Sequence, residues 1–227
     1  MKGILFKPDM VKAIAEGRKT VTRRVIPLKG YSPNIYARCL SHNGSNAALL
    51  GEPYLRVPFD EETYKMGARL TARYKSGETA YVKEAWCRKA DPVTARAIEG
   101  EYWYQSTNPE VVKLDEDGGI KLTRKGYLAS PWQSPRFMPE DAARYFITIT
   151  GVRAERLQGI TNEDAITEGI MPPEHAFVMV GNDVDAAISP REEYAELWDT
   201  INPKYPWDSN PWVWVYQFQL RGRPTDE

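Results

Sequence analysis

The chain has 227 residues, of which 42% are hydrophobic and 27% charged, and its formal net charge is -1. That is the composition expected of a water-soluble globular protein able to bury a core, and the missing basic surplus excludes coating of nucleic acid through bulk charge. Cys39, Cys87, His42 and His175 are the only residues of their types and stand at no metal-ligand spacing, which argues against a disulfide framework or structural zinc and implies no cofactor.

No apolar run is long enough to cross a bilayer, and charged residues arrive too early for a signal peptide, so the expected location is the cytoplasm, with no membrane partner. Residues 3–6 read as a short buried strand. Pro8 then opens a helix whose stripe is Met10, Val11, Ala13 and Ile14, and Gly17 supplies its left-handed exit. The β-branched residues from Thr20 to Ile26 favour a strand, which Pro27 ends. Residues 28–78 lack periodicity and read as an irregular insertion, with a short hairpin around 54–57 and a strand near 70–74.

A strand is expected over residues 80–86. Between Arg88 and Pro139 the aromatics Tyr102, Trp103, Tyr104, Tyr127, Trp132 and Phe137 are interleaved with glycine and proline. A structureless loop of that length is unusual, so an insertion at about 88–140 is expected to fold back as a lid or extra hairpin. Alternation then predicts a strand over 143–157, broken at Gly151. Thr161 starts a capped helix that runs to Glu168, with Gly169 just beyond it. Ser189-Pro190-Arg191-Glu192 opens another, with Tyr194, Leu197, Trp198 and Ile201 at helical spacing and Asn202-Pro203 as its stop. The aromatic run 212–220 reads as a final strand, and 223–227 is a polar tail. Together these elements predict an α+β fold, one domain over 1–222, built as a compact β-barrel with short helices at the rim.

The chemistry is expected to centre on Arg18-Lys19-Thr20-Val21-Thr22-Arg23-Arg24, which crowds four cations and two hydroxyls into one segment. Such crowding is relieved by water or by an anion, a carboxylate or phosphate among them. Glu168, at the negative end of its helix dipole, is the carboxylate in most need of a cation. Lys19, with like charges beside it, is a candidate base for a hydroxyl nucleophile at Thr20 or Thr22. In a regular strand, however, Lys19 points away from both threonines. Among the tryptophans, Trp86, Trp103, Trp132 and Trp214 are read both as core residues and as stacking platforms for a base. Trp212 and Trp214 favour the core, and Trp132, between prolines and near Arg136, is the better platform.

The segments Ile4-Leu5-Phe6, Glu16 to Arg24, Tyr81-Val82-Lys83-Glu84-Ala85-Trp86, Phe137-Met138-Pro139, Arg153 to Ile170 and Asn210 to Val215 together resemble the ASCH family. This is a branch of the PUA-like β-barrel superfamily, and the similarity is strongest to ASCH proteins of phages and prophages. The resemblance implies a barrel with a basic cleft that takes RNA or a modified base. One small bacterial member removes the acetyl group of N4-acetylcytidine with a lysine, a threonine and a glutamate, which correspond by motif position to Lys19, Thr22 and Glu168. The implied binding residues are Arg18, Thr20, Arg23 and Arg24, joined by Glu84, Trp86, Trp132 and Arg136. The chain departs from that enzyme in its longer, aromatic insertion and in Arg23, which replaces an apolar residue. The expected function is binding of a modified nucleoside or RNA, with hydrolysis of an amide on the base. A non-catalytic reader of RNA or modified DNA, a ribonuclease and an accessory protein for another phage protein remain as alternatives.

Overall fold

The computed structural model describes residues 1–27, 38–39, 54–56, 69–91, 94, 96–108, 128–129, 132–171, 179–180, 183–184 and 188–222. In chain order the elements are β1 (Lys2–Leu5), α1 (Pro8–Ala15), β2 (Val21–Val25), β3 (Arg38–Cys39), β4 (Tyr54–Arg56), β5 (Arg69–Thr71), β6 (Thr79–Lys83) and β7 (Trp86–Ala90). They continue with β8 (Ala97–Tyr104), β9 (Leu128–Ala129), β10 (Phe146–Arg156), α2 (Asn162–Thr167), β11 (Met179–Val180), β12 (Asp183–Val184), α3 (Pro190–Ile201) and β13 (Trp212–Arg221). The fold is α+β with a core made mostly of sheet, and among the described residues the strands close no barrel. Two compact units account for the chain.

The first unit comprises Met1–Gly17, Thr79–Thr148 and Leu220–Glu227. Here β1 lies parallel to β6 and the start of β10 antiparallel to it, with Gly3 and Phe146 both opposite Tyr81. Pro8 begins α1 at the position where its missing N–H costs nothing. Val11, Ala13 and Ile14 form its buried stripe, and Gly17, at φ 76°, takes the left-handed turn after it. Trp86, Tyr81, Met138, Ala142, Ala143 and Phe146 make one apolar cluster. A second joins Cys87 to Trp103 and Trp132, and burial pushes the Cys87 thiol up to about 11.

The strand expected over 80–86 ends at Lys83. Glu84 turns inward at 1% exposure, and its backbone N–H donates to Met138 Sδ at 3.3 Å. The chain then enters β7, which pairs with β8 and β9. An extra hairpin was the expected use of the aromatic insertion, and β7 with β8 forms one. Gly3 is needed for close approach. A Cβ there would lie 2.7 Å from both Tyr81 Cζ and Lys83 Cε. The lysine tip can swing away, whereas the Tyr81 ring is buried at 7% exposure. Gly3→Val is expected to cost about 1–3 kcal/mol as an overpacking change, read as a lower urea midpoint at constant m-value. An unchanged midpoint would remove this reading.

The second unit comprises Arg18–Glu78 and Ile149–Gln219. Its sheet places β13 between β10 and β2. β2 is antiparallel to β13, from Val21 opposite Gln217 to Val25 opposite Val213. β10 runs unbroken through Gly151, correcting the break expected there. It begins at Phe146, and a 3-10 turn, Leu157–Gly159, follows it. α2 and α3 cover one face through Val21, Leu157, Ile160, Ala165, Ile170, Tyr194, Trp198, Val213 and Val215. Pro190 follows the α3 cap Ser189, whose hydroxyl accepts from the Glu192 N–H at 3.3 Å while Glu192 Oε2 accepts from the Ser189 N–H at 2.8 Å. β4 pairs with β3 and β5, and β11 with β12, as small separate sheets of this unit. His42, His175 and the 223–227 tail lie outside the described residues.

Candidate functional site: a buried lysine on a helix C-terminus

Six-residue α2 is capped at its start by Thr161, whose hydroxyl accepts from the Asp164 N–H at 3.2 Å. Its other end exposes carbonyls with no helical donor and concentrates negative dipole charge. The segment ahead of β2 meets that end in register. The Thr20 N–H donates to Thr167 O at 2.9 Å, Lys19 Nζ to Glu168 O at 2.6 Å and Arg18 Nη1 to Gly169 O at 3.2 Å. Gly169, at φ 100°, provides the turn that directs those carbonyls toward the basic segment. Two cations at a helix C-terminus also satisfy its dipole.

Lys19 makes a second bond, from Nζ to Glu168 Oε2 at 2.5 Å. Lys19 and Glu168 are 4% and 3% exposed. The other oxygen of Glu168, Oε1, accepts from Arg23 Nη1 at 3.2 Å and from the Tyr194 hydroxyl at 3.4 Å. The Arg23 side chain is fully enclosed. Its Nε donates to Glu155 Oε1 at 2.9 Å and its Nη2 to Asp164 Oδ2 at 2.7 Å. Arg153, more exposed, closes the outer edge with a 3.0 Å bond from its Nε to Glu155 Oε2.

Burial pushes the Lys19 ammonium below its ordinary range, and the Arg24 and Arg23 charges add to that, against the opposing pull of Glu168. Burial works against the Arg23 charge too, but Glu168, Glu155 and Asp164 together outweigh it and hold the guanidinium cationic. Arg24 is lowered by burial, with Glu168 the main opposing influence. Burial and then the Glu168 charge push the Tyr194 phenol well above its usual range, so it stays a donor.

The pleat separates the other named residues. Arg23 shares a face of β2 with Val21, whereas Thr22 and Arg24 fall on the opposite face, across from Tyr216 and Trp214. Thr22 is buried at 4% exposure. Lys19, Arg23 and Glu168 are thus brought together, the Arg18 guanidinium and the Thr20 backbone N–H bond the α2 terminus, and Thr22 alternates with Arg23 along β2.

Four more expected binding residues belong to the first unit. Glu84 is buried and engaged by Arg144, with Nε to Oε1 at 2.8 Å and Nη2 to Oε2 at 3.0 Å, and Ser106 Oγ also donates to it. Trp86, 3% exposed and edge-on to Tyr102, is a core residue whose faces are already covered. Trp132 is half-buried, and Arg136 lies exposed on the 3-10 turn Pro135–Phe137. Trp214 is buried as expected of it, while Trp212 is half-buried under the Arg156 guanidinium, 4.8 Å from its ring.

Asp164, Glu155 and Tyr194 were missed by sequence reasoning. Asp164 sits four residues before Glu168, one helical turn away, and that spacing was a usable signal. Glu155 and Tyr194 come from distant elements and left none. Compared with known proteins, the chain matches no family model, no curated protein and no solved structure.

Proposed function

We propose that Lys19 and Glu168 are the proton-handling pair of an amide hydrolase acting on an acylated nucleobase, as the ASCH resemblance implies. The observation supporting this is an enclosed lysine held by two bonds to one glutamate. Buried, pKa-shifted lysines are the ones suited to general-base work. A neutral amine has two N–H bonds and one lone pair. That lone pair is the proton acceptor of the proposed chemistry.

In this mechanism water attacks the acyl carbon of the amide and Lys19 accepts the proton that water loses. Protonated Lys19 then returns it to the departing exocyclic nitrogen as the C–N bond breaks, giving a carboxylic acid and the free base. Glu168 orients the amine and compensates its passing charge. Arg24 suits the substrate carbonyl. Water serves as the nucleophile in place of Thr22, the candidate by motif position. The same reading makes the α+β framework a PUA-like one, places the protein in the cytoplasm and names a modified nucleoside or RNA as its partner.

The test is turnover of N4-acetylcytidine and related acylated nucleosides. Wild type is expected to release free nucleoside, and Lys19→Ala to lose roughly 10²–10⁴-fold in kcat/KM. Because the neutral amine is the active form, kcat/KM rises with pH along an acidic limb centred below the ordinary lysine range. Absence of turnover in wild type, together with RNA binding that weakens steeply with salt, would replace the enzyme with a reader.

A further inference from the structure

The guanidinium of Arg23 is enclosed by carboxylates from two elements, Glu155 on β10 and Asp164 with Glu168 on α2. A fork of this kind fixes direction as well as charge, because each N–H of a planar guanidinium has one line of approach. The carboxylate of Glu168 is divided as a result. Oε1 goes to Arg23 and Tyr194, and Oε2 goes to Lys19. We propose that Arg23 is a positioning residue: anchored by Glu155 and Asp164, it holds one oxygen of Glu168 and reserves the other for Lys19. This inference rests on the hydrolase reading for its kinetic consequence, and on geometry alone for the arrangement itself.

Charge and direction make separable contributions. Among the described residues, the charged groups acting on Lys19 include Glu168, the C-cap of α2, and Arg24 and Arg23 from β2. Removing the Arg23 charge takes away a repulsion and lets Glu168 lean wholly on Lys19, so both changes move the Lys19 titration to higher pH. Exchanging arginine for lysine keeps the charge but cannot serve three carboxylates in fixed directions. That variant retains the pH behaviour and loses the orientation.

Three variants and two readouts test this. Arg23→Met is expected to lower kcat by roughly tenfold or more with KM little changed, as misplacement of a proton-handling group does. It also moves the acidic limb of kcat/KM to higher pH. Arg23→Lys is expected to lose kcat comparably while the limb stays near its wild-type position. Glu155→Gln, at the half-buried outer edge of the clamp, lowers kcat several-fold and moves the limb to lower pH, because a carboxylate that offsets Arg23 is gone.

Lys19 titration is followed independently of activity by NMR of protein labelled with 13C at lysine Cε. Should wild type turn over none of the nucleosides, the hydrolase reading falls, and this titration alone decides the clamp. A Lys19 titration unmoved by Arg23→Met, or wild-type kcat in Arg23→Lys, overturns the positioning role. If both Arg23 variants fail to fold, Glu155→Gln decides, and unchanged kcat and titration in it overturn the proposal equally.

Discussion

Glu168→Ala is expected to lose about 3–5 kcal/mol of folding stability, the cost of leaving buried charge without its partner. The carboxylate meets Lys19 at 2.5 Å and Arg23 at 3.2 Å, and neither cation has a route to water at 3% and 0% side-chain exposure. Alanine therefore takes the carboxylate from Lys19 and leaves Arg23 with only Glu155 and Asp164. A compensated variant distinguishes this from loss of packing. In Glu168→Leu combined with Lys19→Met the charge is removed on both sides, and Arg23 keeps Glu155 and Asp164. Replacing a buried pair by apolar residues of similar size is often neutral or stabilising. The double variant is thus expected to recover most of the urea midpoint lost by Glu168→Ala. A single variant losing less than about 1 kcal/mol would mean that the pair is hydrated and open, in the range of surface ion pairs.

Trp198→Ala is expected to cost a similar 3–5 kcal/mol, by a different route. Trp198 is 3% exposed and belongs to the cluster that seats α3 on β2 and β13. Its Nε1 donates to Tyr205 O at 2.8 Å, and its ring lies 6.2 Å from that of Tyr194. Alanine leaves a cavity of indole size and a carbonyl without its donor. Trp198→Phe refills most of the volume but not the hydrogen bond, so it should fall between wild type and alanine. Denaturation with separate probes for the two units would show the alanine loss in the unit containing α3. A loss of under 1 kcal/mol would mean that the site collapses around the missing ring.

The helix ends were legible because capping is local. Ser189-Pro190 with Glu192, Thr161, Gly17 and Gly169 all act on neighbours within a few residues. The attraction of Glu168 for the basic segment was legible too, since a carboxylate at a helix C-terminus asks for a cation. What pairwise reasoning could not supply was how one carboxylate is shared. The Arg23 fork reaches Glu155, 132 residues away, and its Glu168 contact spans 145.

Thr22 illustrates the phase problem. Its motif position pairs it with Lys19, but β2 starts at Val21, and the pleat from there turns Thr22 away from the face that carries Arg23. Glu84 and Trp86 pose a different difficulty. Polar and aromatic residues in a strand-like run suit a binding face and a core equally, and only the tertiary partners Arg144 and Tyr102 decide between them. The barrel expectation followed from many short strands, a pattern that open sheets share.

The docking of Arg18, Lys19 and Thr20 on the end of α2 also bears on how the chain assembles. Six residues are too few to sustain a helix in water, so α2 depends on its surroundings to exist at all. Beyond its packing on α3, part of its support arrives from a segment 149 residues earlier in the chain. Such a long closure makes this corner a late event in folding, and during synthesis the early basic stretch must wait until its distant counterpart has left the ribosome.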